Sequence, residues 1–115
     1  MKHVTFGEKS LLMSDDAADS LLDYARLLAM ASTADTVTVR AIGADGNTVD
    51  AAFLLNHSTV LVVESTNSTV VPPHNDEAVR YMQQRIDHLT HPRSAPPENP
   101  DDILNLEDFD MPGAE

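Results

Sequence analysis

The residues whose types and spacing come nearest to a catalytic or metal-binding pattern are Asp87, His88 and His91. On a continuing helix, the i, i+3 spacing of His88 and His91 and the i, i+4 spacing of Asp87 and His91 would bring a carboxylate and two imidazoles to one face. There they could hold a metal ion in a small metal-dependent enzyme. Pro92 works against this, because a proline disfavours helical geometry in the residue before it, here His91. The simpler reading is a frayed helix end where a partly cationic histidine suits the C-terminal dipole. His3, His57 and His74 fall in expected edges and loops, at spacings that neither zinc nor a nucleophilic site requires.

Other chemistries lack their residues. The chain has no cysteine, which removes disulfides, thiolate metal sites and cysteine nucleophiles together and fits a reducing compartment, so the cytoplasm is expected. No serine sits in a Gly-x-Ser-x-Gly elbow, and the four glycines form neither a Gly-x-Gly-x-x-Gly nor a phosphate-cradling loop. Asp15, Asp16, Asp19 and Asp23 could attract a cation or a basic partner, but their spacing is not that of a calcium loop, and a solvated helix face accounts for them. The chain is therefore expected to be non-catalytic, with no metal and no cofactor.

Charge is distributed unevenly. In residues 90–115 seven acids stand against Arg93 alone, a net −6 out of −12 for the whole chain. That stretch also holds five of the seven prolines, a composition that favours extended, solvated backbone, so residues 1–89 are read as the domain and 90–115 as an acidic tail, disordered or a docking arm. Within the tail, Ile103, Leu104, Leu106, Phe109 and Met111 interleave with acids. Such a segment cannot form a core alone, yet it could dock into a partner protein with an apolar groove and a basic rim, or cover its own domain. With nineteen acids against seven bases, binding to a nucleic-acid backbone is not expected. An acidic decoy that occupies a basic protein or nucleic-acid site is the alternative.

The elements that position these residues follow from hydrophobic period and turn chemistry. Val4 and Phe6 alternate with polar neighbours before a turn at Gly7, Glu8 and Lys9, which predicts a short hairpin. Ser14 stands at the N-cap of a helix whose apolar stripe is Ala18, Leu21, Leu22, Ala25, Leu28 and Ala29, ending near Ala31. Residues 36–63 are rich in β-branched side chains and broken by two turn clusters, which predicts a three-stranded antiparallel meander. A three-residue turn of Asp45, Gly46 and Asn47, with Asn47 left-handed, would set Val37 against Leu55, Val39 against Phe53 and Ala41 against Ala51. Asn75 can cap a second helix with the stripe Ala78, Val79, Met82, Ile86 and Leu89.

The expected fold is thus α+β, in the order β-β-α-β-β-β-α. Apolar residues on both sides of the sheet, among them Leu54, Leu61 and Val63, point to self-association through the sheet, most simply as a homodimer. No apolar run approaches the length of a membrane span, so no membrane partner is expected.

Overall fold

The computed structural model describes residues 1–91. Gly7, at φ +61°, permits the two-residue turn with Glu8 that joins β1 (Lys2–Phe6) to β2 (Lys9–Met13), with Phe6 opposite Lys9. The first helix, α1 (Asp15–Met30), starts directly after β2, which fixes where that strand must stop. Then come β3 (Asp35–Ile42), β4 (Thr48–Leu55), β5 (Leu61–Ser65) and α2 (Asp76–Thr90). This is a mixed α+β fold of five antiparallel strands and two helices in the expected order. No helix among the described residues is long and apolar enough to cross a membrane.

The strands form one sheet in the order β4-β3-β2-β1-β5. The meander expectation is corrected here: β5 pairs with β1, with Val63 opposite Val4 and Leu61 opposite Phe6, and not with β4. Its two inward side chains complement those of β1, and a sequential-neighbour rule has no access to that match. A loop of residues 56–60 thus joins the two outer strands of the sheet, which requires strong curvature. Phe6 on β1 meets Phe53 on β4 edge to face at 5.3 Å, although strands three places apart in a flat sheet lie about 14 Å apart. The sheet therefore curls, with its concave side toward the helices.

The β3–β4 register is also corrected. Val37 pairs with Phe53, Val39 with Ala51 and Ala41 with Val49, two residues from the expected pairing. The shift is even, so the same side chains still face the core. Gly46, at φ +86°, takes the left-handed position expected of Asn47, because glycine has no Cβ to strain there. The loop closes with hydrogen bonds from the Gly43 N–H to the Asn47 carbonyl and from the Gly46 N–H to the Gly43 carbonyl.

Both helices cover the concave face. Val4, Met13, Val37, Val39, Phe53 and Leu55 from the sheet pack against Leu21, Tyr24 and Leu28 of α1 and Met82 of α2. The buried arc of α1 is turned from the expected stripe: Ala17, Ser20 and Tyr24 are buried, while Leu22 is exposed. The cause is α2, which lies along α1 and places Gln83 Nε2 2.9 Å from Ser20 Oγ. Ser14 occupies the N-cap position of α1 but makes no capping hydrogen bond, and Asn75 makes none to α2.

Candidate interaction surfaces

The residues with the best sequence claim to metal chemistry do not assemble. Asp87 Oδ1 and His91 Nδ1 form an exposed pair at 3.3 Å where α2 ends, and His88 stands exposed outside it. Among the described residues no group of three or more histidine or carboxylate side chains could hold a metal ion. The acids of α1 are partly paired: Asp19 accepts from Lys2 Nζ at 2.8 Å, and Asp15 lies 2.8 Å from the amino group of Met1. Ile103, Leu104, Leu106, Phe109 and Met111 lie outside the described residues.

A different cluster ties the fold together. The hydroxyls of Tyr24 on α1 and Tyr81 on α2 both donate to Asp35 Oδ2 at the start of β3, each at 2.5 Å, with their rings edge to face. Burial pushes the Tyr24 hydroxyl well above the ordinary tyrosine range, and the Asp35 carboxylate raises it further. The bond to Asp35 raises Tyr81 in the same direction. Partial burial works against the charge on Asp35, but the bonds from Tyr24, Tyr81 and the Thr36 N–H, with the Arg85 cation nearby, hold its carboxyl below the usual range. A carboxylate stabilised in this way is a weak base, and tyrosines raised in this way are weak nucleophiles. The arrangement suits a structural tie between three elements better than proton transfer. Its sequence signal was that the only two tyrosines in the chain lie beside the apolar stripes of the two helices, where a buried hydroxyl needs an acceptor.

Besides the outer side of β5, which ends the sheet, two sides of it are open in different ways. Because α1 begins at Asp15, β2 runs beside only one end of β3, where Leu12 pairs with Ile42. At the next position along that side, Asn75 takes the place of a strand: the Arg40 N–H donates to its Oδ1 at 2.6 Å and its Nδ2 donates to the Arg40 carbonyl at 2.8 Å. Beyond it, residues 36–39 border a groove of about 680 Å3 whose far wall is the first turns of α2.

The second open edge is the outer side of β4. Since Arg40 turns its main-chain groups away from β4, its partner Asp50 turns its own away from β3, and Thr48, Ala52 and Leu54 follow by alternation. The Leu54 carbonyl receives the Thr59 hydroxyl at 3.3 Å, and Thr48, Asp50 and Ala52 remain along an edge that no other strand of the described residues joins. Near its end Leu54 is 55% and Val60 71% exposed, both lining a shallow depression with Phe6. Of the three residues expected on an association surface, Leu54 stands on the open convex face, whereas Leu61 and Val63 point inward and pack against the core. Val62, between them, is the outward residue of β5, 46% exposed. Comparison of the chain with protein-family models, curated proteins and solved structures finds no match in any of the three.

Proposed function

We propose that this chain is a protein-interaction module without a reaction of its own, which pairs with a second copy through the β4 side of its sheet and docks on other proteins through residues 101–111. The observation that carries the reading is the open edge of β4, an eight-residue strand flanked by exposed Leu54 and Val60. Long, uncovered edges with apolar flanks are templates for pairing with another chain. The charge on this edge is small, since Asp50 is opposed by Arg40 with Nε–Oδ1 at 3.4 Å. Two copies related by a twofold axis could therefore align their β4 strands antiparallel without bringing unbalanced charges together.

Light scattering on the full chain tests the pairing. A dimer mass is expected, and either Leu54→Asp or Ala52→Pro should lower it to a monomer, the proline by removing an edge donor where an edge strand tolerates it. A monomer at high protein concentration overturns the pairing. Deleting residues 92–115 tests the arm separately: if capture of protein partners is unchanged, those residues have no docking role.

A further inference from the structure

We propose that the open side of β3, at residues 36–40, receives an extended, lysine- or arginine-bearing segment of a partner protein that adds to the sheet as a strand. The surface lies on the other side of β3 from the β4 edge and shares with it only the Arg40–Asp50 pair, and the two pairings are tested separately. In a strand the N–H and C=O of one residue point to the same side, and residues two apart repeat that direction. Arg40 turns both groups to Asn75, so Thr38 and Thr36 turn theirs to the same side, into the groove before α2. The Thr36 N–H is held by Asp35 Oδ1 at 2.8 Å. Thr38 N–H, Thr38 C=O and Thr36 C=O remain, a donor and acceptor row that among the described residues no strand takes. Asn75 already shows that this side of β3 accepts strand-like pairing, because its amide reproduces one residue of it.

The chemistry of the occupant follows from the rim. Asp50, Asp76 and Glu77 line the groove, and Arg40, its one lining lysine or arginine, is opposed by Asp50 at 3.4 Å. Exposed Tyr81 closes the end near Asp35 and offers a ring edge and face for an aliphatic or cationic stem. A second copy of this chain, at −12, or its own residues 90–115, at −6, would bring like charge to this rim. An extended segment whose alternate side chains are basic would meet opposite charge on the α2 side while its main chain pairs with Thr38 and Thr36.

The test uses the full, isotope-labelled chain and, as probe, an octapeptide alternating lysine and valine, with a glutamate-for-lysine version as its counterpart. In the free protein the Thr38 amide should exchange rapidly with solvent, and the basic peptide should slow it by at least about tenfold, as bound amides are protected by the bound fraction. The acidic peptide should leave it unchanged, and Glu77→Lys should weaken the basic peptide at least about tenfold, a loss of roughly 1.4 kcal/mol, while amide dispersion stays native. The proposal is overturned if Thr38 is already protected in the free protein, if millimolar basic peptide leaves it unprotected, or if both peptides protect it equally. Protection that grows with protein concentration alone would give the groove to a second copy and overturn it as well.

Discussion

Asn75 spends both hydrogen-bonding ends of its side chain on the main chain of Arg40, at 2.6 and 2.8 Å, although it stands at the residue position from which an asparagine would cap α2. The consequence is a clear separation between two roles. If Asn75 were a cap, Asn75→Ser would be nearly neutral, because serine caps as well as asparagine. As a strand surrogate it has no such substitute. Both Asn75→Ser and Asn75→Ala are expected to destabilise the protein by roughly 1–3 kcal/mol, the penalty for leaving main-chain groups without partners, read from urea unfolding.

The tie at Asp35 predicts sensitivity at both ends of the pH scale. The folded pKa of Asp35 lies below its unfolded value, so its contribution is complete above about pH 4 and is lost as pH falls through the folded pKa. Tyr24 has the opposite sign. Its folded pKa is raised, so its contribution is complete below about pH 10 and fades as pH rises toward the folded value. Asp35→Asn should therefore flatten the acid limb of stability and Tyr24→Phe the alkaline limb. Each should remove roughly 1–3 kcal/mol at neutral pH, since both break a charge-assisted bond. Thermal unfolding across pH checks both, and an unchanged acid limb in Asp35→Asn would show that other carboxylates govern it.

Ser14 leads to a prediction against its residue type. A serine at an N-cap normally contributes about 1 kcal/mol, lost on mutation to alanine. Here the hydroxyl is buried and, among the described residues, has no hydrogen-bond partner. Ser14→Ala removes an unsatisfied polar atom and should leave stability unchanged or raise it by up to about 1 kcal/mol. A loss of about 1 kcal/mol or more in chemical denaturation would mean that the cap forms in solution.

These cases mark where sequence reading succeeds and where it stops. Periodicity finds each element of the described residues, because burial of Met82 or Val39 leaves a local pattern of period 3.6 or 2. It also assigns Val37, Val39 and Phe53 to the core face despite a register shifted by two, since an even shift preserves the face. It does not find the partner of β5, which depends on a curl that brings distant strands together. Nor does it find Tyr81 with Asp35 or Asn75 with Arg40, 46 and 35 residues apart. An asparagine that caps its own helix and one that replaces a missing strand look the same in one dimension. The candidate site shares this limit, because the groove beside β3 exists only where β2 ends and α2 returns.

Ser32, just past the end of α1, holds φ +54°, the left-handed position that closes a helix and that glycine adopts without strain. The Thr33 N–H reaches back to the Leu28 carbonyl at 3.1 Å and the Ser32 N–H to the Ala29 carbonyl at 3.2 Å, so the helix end is already well bonded and only the side chain is out of place. Ser32→Gly is expected to stabilise by about 0.5–1 kcal/mol, the left-handed penalty less the added entropy of the unfolded chain. A higher midpoint at unchanged slope in urea would confirm it, and a lower midpoint would refute it.

Salt should separate the two sheet edges. Between about 20 and 200 mM monovalent salt the screening length falls from roughly 20 to 7 Å. A basic peptide at the β3 groove is drawn by Asp76 and Glu77, so its dissociation constant should rise steeply over that range. Two copies meeting at β4 each carry −12 overall, while the edge itself offers Thr48, Ala52 and a paired Asp50. Salt there screens repulsion without weakening main-chain bonds, and the dimer should tighten. Titrating the same protein preparation by fluorescence anisotropy for the peptide and by sedimentation for the dimer gives both curves. Slopes of the same sign would mean that one of the two edges is being driven by something other than the charge pattern around it.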